Sequence, residues 1–210
     1  MIKILIADDH SLIREGFKKL IEREVGLQVV GEAENAFDVT EFLRHNQCDV
    51  IVLDINMPQK SGLELLKELK DYYPDIKVLI LSMSPEDKFA IRAFRSGADG
   101  YITKDSAPEE LIHAIRKIAQ GGKFVTQSLA EKLAFEMGSG GEKKPHETLS
   151  DREFQVFLLI GAGKSMKEIA DTLSLSMSTV NTYRRRILEK LHLHSNAEII
   201  HYAVKNKLVE

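Results

Sequence analysis

Across its first 125 residues this chain switches five times between a short apolar run and a longer segment whose apolar residues recur three and four apart. The runs are 3–7, 27–30, 50–53, 78–81 and 100–103, and the segments are 12–21, 37–43, 63–69, 89–94 and 111–118. Spacing of three and four places apolar side chains on one face of a helix. The run Val50-Ile51-Val52-Leu53 contains no polar residue, as a strand covered on both faces requires. Strands that alternate with helices return parallel to one another through right-handed crossovers. The expected fold is therefore α/β: a doubly wound, five-stranded parallel sheet with helices on both faces.

The alternation stops near residue 122. Residues 129–135 read as a short linking helix, and 138–146 (GSGGEKKPH) form a polar, flexible break. Beyond it only helical spacing remains, over 151–160, 167–173, 178–191 and 197–205. The expected organisation is a domain over 1–122, a linker over 123–147 and an all-α domain over 148–210. Charge follows the same division. From Thr148 onward nine Lys and Arg face seven Asp and Glu, whereas the preceding part carries 20 against 25. An acidic first part joined to a mildly basic second part suggests different partners for each. No stretch approaches the roughly 20 apolar residues of a membrane span, and the start MIKILIADDH is too short an apolar run for a signal peptide. The lone Cys48 cannot form an internal disulfide and borders an apolar run, so a buried, inert thiol in a reducing, cytoplasmic setting is expected.

The stretch GAGKS at 161–165 resembles the tail of a nucleotide phosphate loop, but that motif needs a first Gly where this chain has Leu158, and a strand ahead of it. Gly161 and Gly163 instead suit a helix end that needs positive φ. Phosphate chemistry is expected elsewhere. In an open α/β sheet the strand ends meet along one carboxyl edge. Here they end in Asp8-Asp9, Asp54, Ser82 and Lys104. Three close carboxylates repel unless a cation joins them, and a hard divalent cation such as Mg²⁺ suits oxygen ligands. An Asp can attack phosphorus to give an aspartyl phosphate, with Lys104 and the Ser82 hydroxyl placed to hold the phosphoryl oxygens.

The stretches ILIADDH, VIVLDINMPQKSGLELL, VLILSMS and GADGYITKD resemble, in sequence and spacing, the receiver domain of two-component response regulators. The resemblance implies the flavodoxin-like strand order 2-1-3-4-5 and phosphorylation of Asp54 by a sensor histidine kinase. It implies Mg²⁺ held by Asp9, Asp54 and the backbone carbonyl of Asn56, with Asp8 acting largely through water. Lys104 would contact the phosphate, and Ser82 and Tyr101 match the switch hydroxyl and switch aromatic. Many receivers have Pro after the lysine; this chain has Asp105. A haloacid-dehalogenase-like phosphatase would want a second Asp two residues after the nucleophile, where this chain has Asn56. No enzymatic activity is expected beyond the receiver's own aspartyl phosphorylation and dephosphorylation.

In the last third, Ser150 and Glu153 have capping-box spacing, and Ser176 can cap the next-but-one helix. Helix, short turn, helix is a DNA-reading arrangement whose second member enters the major groove. On that member Val180, Ile187, Leu188 and Leu191 form the apolar stripe, with Asn181, Thr182 and Arg185 on another side, chemically suited to adenine, a thymine methyl and guanine. Arg184, Arg186, Lys190, Lys164 and Lys167 could reach phosphates, and Ser178 and Thr179 complete the expected DNA-contacting set. His192 and His194 lack further metal ligands nearby and read as structural or DNA-proximal. The stretches LSDREFQVFLLIGAGKSMKEIADTLSLSMSTVNTYRRRILEKL and NAEIIHYAVKN resemble the LuxR-type helix-turn-helix of the NarL/FixJ subfamily. The usual pattern has Lys and His where this chain has Asn181 and Tyr183. The combined resemblance implies a transcription regulator that, once phosphorylated, binds paired half-sites on double-stranded DNA as a homodimer.

Overall fold

The computed structural model describes residues 1–83, 86–126, 129–131 and 144–209, in two compact units, Met1–Ser139 and Gly140–Glu210. The first unit runs β1 (Ile2–Ala7), α1 (Ser11–Glu22), β2 (Leu27–Ala33), α2 (Ala36–His45), β3 (Val50–Asp54), α3 (Gly62–Tyr72), β4 (Lys77–Ser82), α4 (Glu86–Arg95), β5 (Gly100–Thr103) and α5 (Pro108–Ala119). Its five strands form one sheet in the order β2-β1-β3-β4-β5, with every pairing parallel. The expected fold class and strand order are therefore observed.

Register decides what the sheet presents at its carboxyl edge. Ala7 pairs with Leu53, Asp54 with Leu81, and Ser82 with Thr103. Asp8 and Asp54 therefore emerge side by side, with Ser82 one residue further along β4 and Lys104 two further, just past β5. Beneath that edge one continuous core joins Ile4, Ile6, Val52, Leu79 and Leu81 to Leu111, Ile115 and Ile118 of α5. Each such side chain, fully buried, contributes about 1.5–3 kcal/mol, so the edge rests on a stiff base.

Two elements differ from the sequence expectation. β2 extends to Ala33, through Gly31 and Glu32, which carry no strand signal. Gly31 is needed there because a Cβ would lie 2.4 Å from the Phe42 ring, and the β1–β2 register slips between Ile4 and Leu5 beside it. In α1 the apolar spacing included Leu12, yet Leu12 is 81% exposed while Arg14 is buried. The helix is turned so that Ile13, Phe17 and Leu20 pack inward with Ile21, and residue 12 falls one step outside that face.

The second unit holds a 3₁₀ turn (Pro145–Thr148) and four helices, α6 (Asp151–Gly161), α7 (Met166–Thr172), α8 (Met177–Leu191) and α9 (Asn196–Lys205). Capping boxes at Ser150/Glu153 and Ser165/Glu168 start α6 and α7, and Ser176 accepts the Thr179 N–H at the start of α8. The His146 ring stacks on Phe154 and meets Tyr202 edge-on, with Nδ1 3.1 Å from the Tyr202 hydroxyl. This ties the 3₁₀ turn to α6 and α9. His192 ends α8 in the left-handed conformation, at φ 54°.

GAGKS is a helix–helix turn, as expected, but its two glycines have different reasons. Only Gly163 has positive φ, 76°. Gly161 lies inside α6, where a Cβ would sit 2.8 Å from the Ala203 Cβ of α9. Residues 129–131 are helical; the remainder of the expected linking helix and most of the Gly/Ser/Lys segment, 132–143, lie outside the described residues. Among the described residues no helix is long and apolar enough to cross a membrane. Cys48 is buried, and burial, with Asp49 nearby, pushes its thiol up to about 12; the expected inert thiol agrees with this.

At the opposite edge of the sheet from the strand ends, Asp99 accepts from Lys70 Nζ (2.7 Å), Lys123 Nζ (2.9 Å) and the Val78 N–H (2.9 Å). Burial works against the charged carboxylate, but the two lysines and the N–H outweigh it and hold Asp99 below the usual carboxylate range. A depressed carboxylate stabilises the fold fully above its unfolded pKa, about 3.9, and loses that contribution as pH falls through its folded value. Urea midpoints of the wild type and Asp99→Asn should therefore differ most above pH 4 and converge as the medium is acidified below it.

Candidate functional site

The carboxyl edge brings together the charged residues expected there. Lys104 Nζ lies 2.5 Å from Asp8 Oδ2 and donates to Asp54 Oδ2 at 2.8 Å. Asp8 and Asp54 are fully buried, and the Lys104 side chain is 3% exposed. The Asn56 N–H donates to Asp54 Oδ1 (3.1 Å) and the His10 N–H to Asp8 Oδ1 (2.9 Å). His10 Nδ1 sits 2.7 Å from Asp9 Oδ1 and 3.2 Å from Asp8 Oδ1.

Charge does not balance within this cluster. Burial raises the Asp54 carboxyl above the usual carboxylate range, Asp8 adds to the rise, and Lys104 and the Asn56 N–H oppose it. Burial would pull Lys104 down, but Asp54 and Asp8 hold its ammonium above the usual lysine value. One committed cation thus faces three carboxylates. Ligand-capable atoms of Asp8, Asp9, His10 and Asp54 all lie within 4.8 Å of one another. Asp8 Oδ2 and Asp9 Oδ1 are buried without a well-formed hydrogen bond, although Lys104 and His10 stand beside them. An oxygen-rich, electron-rich cradle of this kind fits a hard divalent cation.

Ser82 and Tyr101 are placed differently from the carboxylates. Ser82 ends β4, is buried, and its carbonyl accepts the Lys104 N–H (2.8 Å), so the β4–β5 ladder continues one bond further and sets the hydroxyl-bearing residue beside the lysine's backbone. Tyr101, three residues before Lys104 on β5, is already wholly buried. The residue matched to the switch aromatic thus has its ring inside the unit.

Three contributors escaped the sequence analysis. His10 follows the acidic pair directly, so only its adjacency signalled it. Gly62 opens α3, and its N–H donates to the Ile55 carbonyl (2.9 Å); a Cβ there would lie 2.0 Å from the Asp54 carbonyl oxygen. The Gly following a capping Ser61 was the available signal, since Ser61 and Glu64 form a capping box at that helix start. Arg14, hidden in an apolar helix pattern, donates from Nη1 to the Asp8 carbonyl oxygen at 2.6 Å.

On the second unit α7, a turn at 173–176 and α8 form the expected pair. Val180, Ile187 and Leu191 face inward, whereas Asn181, Thr182, Arg185, Arg186 and Ser178 are exposed. Lys164 and Lys167 are exposed at the start of α7, and Thr179 is half-buried. Ser178, Thr179, Thr182, Tyr183 and Arg186 line a shallow, polar depression of about 290 Å³. Three of the expected phosphate-reaching residues have protein partners: Lys164 Nζ lies 4.0 Å from Glu168 Oε1, and two others are held more closely. Lys190 Nζ donates to Glu153 Oε2 at 2.6 Å, and Arg184 Nε donates to Asn196 Oδ1 at 2.5 Å. Burial disfavours the Glu153 charge, but Lys190 and the Ser150 N–H hold it below the usual carboxylate range.

A doubly wound sheet with an acid–lysine cluster at its carboxyl edge, joined to a helix-turn-helix unit, defines a regulatory protein, and the chain belongs to the two-component response regulators. The family model described as response regulator receiver domain matches residues 4–116, and that described as bacterial regulatory proteins, luxR family, matches 147–203. The chain is 38% identical to the response regulator GacA of Pseudomonas aeruginosa over 211 residues, covering 100% of this chain and 99% of that one. It is 34% identical to the response regulator UvrY of Escherichia coli K12 over 209 residues, covering 99% and 96%. Among solved structures, RcsB from Salmonella enterica serovar Typhimurium, bound to promoter P1flhDC in the presence of the phosphomimetic BeF₃⁻, shares 26% identity with a TM-score of 0.64, covering 96% of this chain and 97% of that chain. The resemblances read from the motifs of both parts therefore hold.

Gly62→Ala should displace the Asp54 carbonyl, since backbone cannot yield as a flexible side-chain end can. The expected cost is about 1–3 kcal/mol, read as a lowered urea midpoint, together with shifted amide resonances at Asp54 and Asn56.

Proposed function

We propose that Asp54 is the phosphoacceptor of this response regulator and that its modification controls DNA binding by residues 148–210. The observation that carries this is Lys104 held between Asp8 and Asp54, a buried cation already seated where phosphoryl oxygens arrive. A sensor histidine kinase supplies the phosphoryl group: an Asp54 carboxylate oxygen attacks phosphorus as the bond from phosphorus to the histidine nitrogen breaks. Asp9, Asp54 and the Asn56 carbonyl would hold Mg²⁺, with Asp8 acting through water. Bound there, the cation offsets charge that develops in transfer.

The chain's own residues do the rest. Lys104 contacts the phosphoryl oxygens, and the Ser82 hydroxyl turns towards them. Tyr101, packed inside β5, reports that movement to the face of α4, β5 and α5. The aspartyl phosphate forms and is lost within the receiver, over 1–122, and residues 123–147 link it to the DNA-binding part. We assign no further enzymatic activity and place the protein in the cytoplasm.

Ser178, Thr179, Asn181, Thr182 and Arg185 on the exposed side of α8 read a major groove, with Arg186, Lys164 and Lys167 on phosphates. Arg184 and Lys190 join them only by leaving Asn196 and Glu153. Exposed Ile200 and Val204 lie four apart on α9, on one face, and suit a homodimer that spans paired half-sites.

Intact mass after incubation with acetyl phosphate and Mg²⁺ tests the acceptor: one phosphoryl group is expected on the wild type and none on Asp54→Asn. An adduct on both, or none on the wild type even with beryllofluoride as a stable mimic, would overturn the assignment. For the interface, Arg185→Ala should weaken specific binding by about 1–3 kcal/mol and relax preference at one base position, whereas Lys167→Ala should weaken all sequences alike and flatten the salt dependence. Titration of labelled duplexes at two salt concentrations separates these outcomes.

A further inference from the structure

Arg14 is a charged residue where α1 should have an apolar one. It is 6% exposed. A buried guanidinium is costly unless it is paired and hydrogen-bonded, so its partners show what it is for. Nη1 donates to the main-chain oxygen of Asp8 at 2.6 Å, Nη2 donates to Glu34 Oε1 at 2.5 Å, and Nε lies 3.7 Å from Glu32 Oε2. Glu34 follows β2 directly and precedes Asn35, which caps α2. The rigid guanidinium fork thus joins the β1–α1 loop to the end of β2, from beneath the acidic pair.

The Asp8 carbonyl belongs to the peptide that connects Asp8 to Asp9. Pinning it sets the plane of that peptide, and with it the directions in which the two carboxylates leave the backbone. Asp8 Oδ1 is then completed by the His10 N–H. The Asp8 N–H donates to the Ala33 carbonyl (3.1 Å) and the His10 carbonyl accepts from α1, whereas Arg14 is the side chain that holds the Asp8 carbonyl between them. Glu32 is also shared with Lys18, at 2.8 Å, so the acidic end of the clamp is itself fixed to α1.

We propose that Arg14 is a positioning residue of the phosphoacceptor site: it holds the Asp8–Asp9 pair in the arrangement that receives a divalent cation, without touching the cation or the phosphoryl group. This rests on the cation site described under the proposed function. Residues that orient metal ligands from behind typically change metal affinity 10–100-fold when replaced.

The test is Mn²⁺ binding to the full chain, followed by the EPR amplitude of the free ion. Arg14→Lys, which can reach only one of the two acceptors, and Arg14→Ala should each raise the Mn²⁺ dissociation constant by about tenfold or more. Glu34→Gln, which leaves residue 14 intact and loosens its far anchor, should give a smaller rise in the same direction and keeps the test valid if Arg14→Ala does not fold. Asp99→Asn, a structural lesion at the other edge of the sheet, should lose stability without loss of Mn²⁺ affinity. Arg14→Lys and Glu34→Gln binding Mn²⁺ as tightly as the wild type, or Asp99→Asn losing as much affinity as they do, would overturn the proposal alone. A wild type that binds no Mn²⁺ would overturn the cation site itself, and this proposal with it.

Discussion

A lysine ammonium shared by two buried carboxylates is the interaction around which the first unit is arranged. Lys104 meets Asp8 and Asp54, from three different strands, at 2.5 and 2.8 Å. Pairs this deeply buried do not by themselves stabilise a fold, because desolvation offsets most of the attraction. Their place at the carboxyl edge is where an open α/β sheet puts its ligands. The third carboxylate, Asp9, leaves the cluster short of positive charge, and burial keeps Asp54 reluctant to hold its own charge. A divalent cation would address that imbalance.

That cluster exists only because the register is right. Ala7 opposite Leu53 sets Asp8 beside Asp54, and Ser82 opposite Thr103 sets Lys104 two residues further along, from where its long side chain reaches both; a slip by one residue would turn each side chain to the other face. The core of Ile4, Val52, Leu81 and Ile115 prevents such a slip. Backbone is also packed tightly where the site is made: α3 approaches so closely that residue 62 must lack a Cβ. The second unit uses the same device at a helix contact, where Gly161 lets α6 lie against Ala203.

The two units treat charge differently. Around Asp54 it is concentrated and hidden, whereas along α8 it is exposed, as Arg185 and Arg186 show. Lys190 and Arg184 stand between these cases. Their ion pair and hydrogen bond with Glu153 and Asn196 orient α8 against α6 and α9, so a cationic helix face is partly a structural feature of its own domain.

The periodicity of the chain was enough to place five strand–helix units, four later helices and the acid, hydroxyl and lysine at the strand ends, because apolar spacing and residue type are local properties. GAGKS was legible as a turn for the same reason. β2 was read too short, since Gly31 and Glu32 have no strand propensity and are held by Phe42 and the neighbouring ladder. The inward turn of Arg14, the burial of Tyr101 and the capture of Lys190 by Glu153 were not legible at all, and the need for Gly62 was signalled only by the capping Ser61 before it. Each depends on how closely residues far apart in sequence approach one another, and that distance is decided by sheet register and helix packing. The sequence by itself determined which chemical groups this protein owns and in what order; tertiary structure alone decided which of them share a buried space.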